Sequence, residues 1–195
     1  MISFIVTDIE TDGHVPGTHS MISLASVAIG EDGASHGTFS INLKQLPDAT
    51  TDGETMLWWH SQPLAWRAAT VNQQDPKEGM RAWADWVESR PGDPVFAAHP
   101  LCFDGPWVDL YLQKFVGRRL FKHPRDSSLC MGSGVDIPSL IMGTTGWDYR
   151  HCNREHYPAE WLGGHAHSHF ALDDALGYAH LLSLILTSSL PHAKR

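Results

Sequence analysis

The 195-residue chain is 42% hydrophobic and 18% charged, with a formal net charge of −8. This is a globular balance, sufficient for one full core and too short for two comfortable domains. The acidic excess excludes a protein that coats long duplex nucleic acid through many Lys and Arg contacts, but not an enzyme that grips a few nucleotides through a metal held by its acids.

No apolar run reaches membrane-spanning length and the N-terminus lacks a signal-peptide pattern. Cys102, Cys130 and Cys152 are odd in number and widely spaced. These features predict a cytoplasmic chain with reduced thiols and no membrane partner.

The first predicted element is a strand from Ile2 to about Glu10, apolar and β-branched, followed by a Thr11-Asp12-Gly13 turn. Side chains alternate along a strand, so Asp8 and Glu10 project to one side and Ile9 to the other. Two acids side by side at the end of a buried strand repel unless a cation lies between them, and hard divalent ions take carboxylate oxygens. The competing account is a strand end where both acids are solvated.

Met21–Ile29 and Ser35–Leu43 read as two further strands joined at Asp32-Gly33, a hairpin signal. The first three strands thus form an antiparallel meander. Ser61 and Pro63 suit a helix start continuing through Leu64 to Thr70. Trp58 and Trp59, just before it, read as core or lid, or as a stacking wall for a base.

Asp75-Pro76-Lys77-Glu78 is a clean helix start, with Met80, Trp83, Ala84, Trp86 and Val87 as its apolar stripe. Val95–Ala98 is a short strand, and Pro106 opens the next helix. Asp104, between them, is either an N-cap or a third carboxylate at the strand's C-terminal end, where α/β sites gather. Lys114, Arg118, Arg119, Lys122 and Arg125 form the one basic cluster, by default a solvated face and otherwise a grip on phosphates. Asp136 caps a short helix. Cys152 and His156 have no second pair at zinc-ligand spacing. The last helix follows His165-Ala166-His167-Ser168-His169 and presents a broad apolar surface, with Asp174 on its flank.

Asp8, Glu10, Asp104 and Asp174 therefore stand out, with His169 five residues before the last. An all-carboxylate set favours Mg²⁺ or Mn²⁺ over zinc, and four acids suit two ions sharing a substrate phosphate.

In these motifs the chain resembles the DEDDh family of 3′→5′ exonucleases, which includes polymerase proofreading exonucleases, ribonuclease T and oligoribonuclease. Asp8-Ile9-Glu10-Thr11-Asp12-Gly13 resembles the family's first motif and Phe103-Asp104 its second. His169-Phe170-Ala171-Leu172-Asp173-Asp174-Ala175 matches the third at every specified place. The related tyrosine branch carries Tyr where Phe170 stands, and Phe has no hydroxyl to orient a water. Trp58-Trp59-x-x-Gln62 also resembles a sub-branch of small bacterial and phage exonucleases. One departure is His99-Pro100, where many relatives have Asn.

The resemblance implies a ribonuclease H-like α/β fold: a mixed five-stranded sheet with helices on both faces, as a single domain over 1–195. It implies two Mg²⁺ or Mn²⁺ ions held by Asp8, Glu10, Asp104 and Asp174, with His169 as general base. The substrate would be single-stranded DNA or RNA 3′ ends, releasing nucleoside 5′-monophosphates. Thr11, Asp12, Gly13, Trp58, Trp59, His99 and Phe103 are the candidate substrate contacts, and His165 and His167 are expected to be spectators. A homodimer seated on the apolar last helix is a further expectation. The alternatives are a phosphodiesterase acting on dinucleotides or very short oligonucleotides, a non-catalytic binding module on the same fold, and a zinc protein using the His-rich loop. A silent module would be expected to lose an acid or the His, and none is missing.

Overall fold

The computed structural model describes residues 1–125, 127–165 and 167–190. Its strands are β1 (Ile2–Thr11), β2 (Met21–Gly30), β3 (Ser35–Asn42), β4 (Asp93–Ala98) and β5 (Val135–Asp136). They form one sheet in the order β3-β2-β1-β4-β5. β1, β2 and β3 pair antiparallel, whereas β1, β4 and β5 pair parallel. Gly33 in the β2–β3 turn has φ 77°, a conformation glycine adopts without steric cost.

β1 obeys the expected period of two. Ile5 and Ile9 enter one core with Leu24, Trp83 and Tyr111. Val6 lies in the core on the other face, with Phe4 packed against it. Asp8 and Glu10 are in phase with Phe4 and Val6, so both emerge on that second face. All ten residues of β2 are buried, as befits a strand covered on both sides.

The helices are α1 (Gly53–Ser61), α2 (Pro63–Thr70), α3 (Pro76–Glu88), α4 (Leu101–Phe115), α5 (Ile137–Thr145) and α6 (Ala171–Leu186), with short 3-10 turns at Tyr149–His151, Arg154–His156 and Ala159–Leu162. Asp75 caps α3 through the Lys77 and Glu78 N–H groups, and Asp136 caps α5 through that of Ser139, both as the sequence predicts.

The helix expected from Pro63 to Thr70 stands as α2, but a further helix precedes it and another begins earlier than expected. The Trp58-Trp59 segment is itself helical, because Asp52 accepts from both the N–H and the hydroxyl of Thr55, each at 2.8 Å, and starts α1. Pro106 lies inside α4 rather than opening it. The Leu101 N–H is satisfied by Asp136 Oδ1 at 3.0 Å, which anchors the helix start five residues before the proline. Asp104 consequently lies in the first turn and is not the N-cap.

α6 lies across β1 and β2, burying Ala175, Tyr178, Leu181 and Leu182 in the second core. None of the exposed large hydrophobic residues lies on it, so its apolar breadth has an account within one chain. No described helix is long and apolar enough to cross a membrane.

Candidate active site

Three elements bring the four acids together. β1 supplies Asp8 and Glu10, the first turn of α4 supplies Asp104, and the first turn of α6 supplies Asp174. Oxygens of Asp8, Glu10 and Asp174 all lie within 4.8 Å of one another. Asp104 is 2% and Asp174 1% exposed. The β1–β4 ladder ends at Val6↔Ala97. Beyond it the Ile9 N–H donates to Asp104 Oδ1 at 3.2 Å, so one strand residue spaces two of the acids and fixes a third.

Without a counter-ion this arrangement is electrostatically unfavourable. Burial, then the charges of Asp104, Glu10 and Asp174, raise the Asp8 pKa well above the ordinary carboxylate value, against a lowering effect of Arg154. Glu10 is raised by burial, then by Asp174 and Asp104. Burial pushes Asp104 up to about 8, although two backbone N–H groups oppose it.

Asp174 Oδ1 is buried and has no hydrogen-bond partner, and Arg154 Nη1, 3.3 Å away, makes an ion contact with it but no hydrogen bond. An orphaned buried carboxylate oxygen beside two further carboxylates fits the donor set of a hard divalent cation.

The histidine loop closes the other side. His169 has φ 56°, a left-handed conformation uncommon for a side chain of its size. Its ring meets Trp58 edge-on at 4.7 Å and His167 at 4.0 Å. Burial and then the neighbouring His167 lower its pKa, against Asp174, which favours the neutral imidazole a base requires.

His167 was expected to be a spectator, yet it lines the cleft, with Nδ1 3.1 Å from Asp174 Oδ2. The His-x-His spacing was its only signal. His165 contributes its carbonyl, which accepts from Arg154 Nη2 at 3.0 Å. Arg154 went unnoticed in the sequence: it lies in a 3-10 turn without periodicity, yet its guanidinium reaches Asp174 and packs 5.2 Å from the centre of the Tyr178 ring.

The candidate substrate contacts divide. Phe103 (39% exposed) and His99 line the cleft, and Trp58 (38% exposed) flanks it beside His169. His99 is also a packing residue: it stacks on Tyr178 at 4.5 Å and bonds the Tyr157 hydroxyl at 2.9 Å. Burial lowers its pKa to about 4, so it is neutral.

Trp59 is buried among Ile22, Ala65 and Ala69, with its indole N–H donating to the Thr11 carbonyl at 2.9 Å. That excludes it as a stacking wall; it braces the end of β1. The Thr11 and Asp12 side chains also turn inward. Thr11 donates to the Gly13 carbonyl, and Asp12 accepts from the Ser20 N–H and Gln45 Nε2, which leaves only backbone for a substrate there. Gly13 is required by close packing, since a Cβ would stand 2.3 Å from the His19 ring. The two metal-capable clusters among the described residues include neither Cys152 nor His156.

A mixed five-stranded sheet in this order, with acids converging from its central strand and two helix starts, is the ribonuclease H-like architecture of DEDDh exonucleases. The chain belongs to the 3′-5′ exoribonuclease Rv2179c-like domain family, whose model matches residues 3–186, and it is a 3′-5′ exonuclease. Its fold is similar to the nuclease domain of 3′hExo, a DEDDh family member solved bound to rAMP (TM-score 0.65, 12% identity, covering 100% of this chain and 96% of that one). It also resembles a 3′-exonuclease solved in 3′-end recognition of the histone mRNA stem-loop (0.66, 12%, 96% and 81%). Exonuclease I of E. coli, in complex with a dT13 oligonucleotide, superposes at 0.66 with 14% identity, covering 95% of this chain and 41% of that one. No curated protein matches the chain in sequence.

Proposed function

We propose that the protein removes nucleoside 5′-monophosphates from single-stranded RNA 3′ ends, with two Mg²⁺ or Mn²⁺ ions held by Asp8, Glu10, Asp104 and Asp174 and with His169 as general base. The observation that carries this reading is the convergence of four largely buried acids, three with raised pKa values, beside a neutral imidazole. When bound, the ions supply a more acidic water and stabilisation of charge on the leaving oxygen.

The chain's own residues do the rest. His169 takes the proton of the attacking water as its oxygen bonds to phosphorus in line with the leaving 3′-oxygen. The P–O3′ bond breaks, and the leaving oxygen is protonated from solvent. Trp58 holds the imidazole edge-on, and Phe103 offers an apolar wall to the terminal nucleoside. A second hollow, lined by Gln62, Pro63, Leu64, Ala65 and the 167–170 loop, adjoins His169 and leaves room for the next nucleotide. RNA is favoured over DNA because the matching family is one of exoribonucleases.

The test uses 5′-labelled RNA and DNA of matched sequence with Mg²⁺ or Mn²⁺, beside EDTA, Asp174→Asn and Asp8→Ala. The expected result is a ladder shortening from the 3′ end, faster on RNA and absent in both variants. Full activity in either purified variant would remove the two-metal reading.

A second reading, action on dinucleotides or very short chains, is favoured by the placement of the basic cluster. It lies at and beyond the C-terminal end of α4, and none of its residues lines the acid cleft. Arg118 and Arg119 are there paired with Glu88 and Asp109. Two of the cluster's five charges are engaged in this way, which favours short chains, and a length series down to the dinucleotide discriminates the two readings.

A further inference from the structure

Asp174 belongs to two clusters at once. Towards β1 it joins Asp8 and Glu10 in an all-oxygen set. Towards the loop before α6 it joins His167 and His169, whose ligand nitrogens and an Asp174 oxygen also lie within 4.8 Å of one another. Two imidazoles and one carboxylate form a different chemical class of donor. Such a set suits borderline transition ions, whereas Mg²⁺ and Mn²⁺ suit oxygen.

The three donors are close enough to share one ion, with a fourth position left open. His167 Nδ1 stands 3.1 Å from Asp174 Oδ2. That is a few tenths of an ångström under the roughly 3.3–3.6 Å between two donors each about 2.0–2.2 Å from one zinc at a tetrahedral angle, a difference that a small opening of the loop makes up. The left-handed backbone at His169 turns its ring to within 4.0 Å of the His167 ring. Arg154 approaches the other oxygen, Oδ1, and leaves Oδ2 to the imidazole side.

We propose that His167, His169 and Asp174 form a second metal site, for Zn²⁺ or a similar borderline divalent ion, and that its occupation switches the nuclease off. Zinc held there engages a nitrogen of His169 and an oxygen of Asp174, so the base and one of the acids leave the reaction together. The inhibitory half rests on the roles proposed above for these two residues; the binding half does not.

The experiment titrates Zn²⁺ into metal-stripped wild type, His165→Ala, His167→Ala and His167→Gln against a chromophoric zinc chelator, with melting curves alongside. The His167 side chain is 47% exposed, so its replacement opens no core cavity. Wild type and His165→Ala should each take up one Zn²⁺ tightly, and both His167 variants should bind it at least ~10-fold more weakly. In Mg²⁺-supported degradation of RNA, the zinc concentration that halves the wild-type rate should rise by a similar factor in His167→Ala.

Zinc binding as tight in both His167 variants as in wild type, or none in wild type, overturns the site. An inhibitory concentration unmoved by His167 replacement overturns the switch. Wild type that degrades no nucleic acid with Mg²⁺ or Mn²⁺ removes the proposed function and the switch with it, while the chelator titration still decides the site.

Discussion

Replacing Arg154 with Met removes the fixed positive charge beside the acid cluster. The side chains of Arg154 and Asp174 are 9% and 2% exposed and stand 3.3 Å apart, so the substitution leaves a buried carboxylate beside Asp8 and Glu10 without its guanidinium. Breaking a buried pair from one side costs about 3–5 kcal/mol. At about 2–4 °C per kcal/mol for a chain of this size, that is a fall of roughly 6–20 °C in Tm for EDTA-treated protein. Divalent ions on the same acids, as proposed, would replace the missing charge, so saturating Mn²⁺ should recover much of the loss. Arg154→Lys keeps the charge but loses the planar fork and should fall between. Reversible thermal unfolding followed by circular dichroism, with and without Mn²⁺, measures both quantities. A loss below ~1 kcal/mol in EDTA, or one equally large with Mn²⁺, would show that Arg154 does not neutralise the cluster.

The raised pKa values set a pH dependence. In the metal-free fold Asp104 keeps its proton up to about pH 8, and Asp8 and Glu10 also hold theirs above the ordinary range. The unfolded chain releases these protons near pH 4, so stability should fall as pH rises from about 4 to 8. A Tm in EDTA that rises from pH 5 to pH 8 would contradict this. Because His169 is shifted below its ordinary 6.5, the acid limb of kcat/KM under saturating metal should lie below pH 6.5, and a limb at neutral pH would refute its assignment as base. His99→Ala leaves the Tyr157 hydroxyl unpaired and should cost about 1–3 kcal/mol by urea unfolding; no loss would show that the contact is not stabilising. Trp59→Ala should cost about 3–5 kcal/mol in stability, whereas Trp58→Ala should mainly lower kcat/KM, and the reverse pattern would refute the division of the pair.

What could be read from the sequence was whatever has a period or a cap. The alternation in β1 placed Asp8 and Glu10 on one face because one apolar residue separates them. The Asp75-Pro76 start placed α3 to the residue. Asp104 was legible as an acid near a helix start, but its bond to the Ile9 N–H joins residues 95 positions apart, and no local pattern reports that. Trp59 turned inward because Asp52 starts a helix whose buried face includes it, a cap hidden within a polar stretch. Arg154 and His167 had no periodicity to betray them: their roles come from where irregular backbone lets a long or a forked side chain reach, and only tertiary structure sets that.

Ile9 ties the acid spacing to the middle of the sheet. β1 has a neighbour on each edge and a core on each face, so its amides are expected to exchange with solvent only when the whole domain opens. The loop carrying His167 and His169 is fastened by far less, chiefly by Arg154 to the His165 carbonyl and by Ser168 to Asp173. The β1 acids and the proposed base therefore sit at opposite ends of the molecule's range of local stability. On warming, the protein would lose the proposed base while Asp8 and Glu10 stayed in place, and turnover would fade before cooperative melting began.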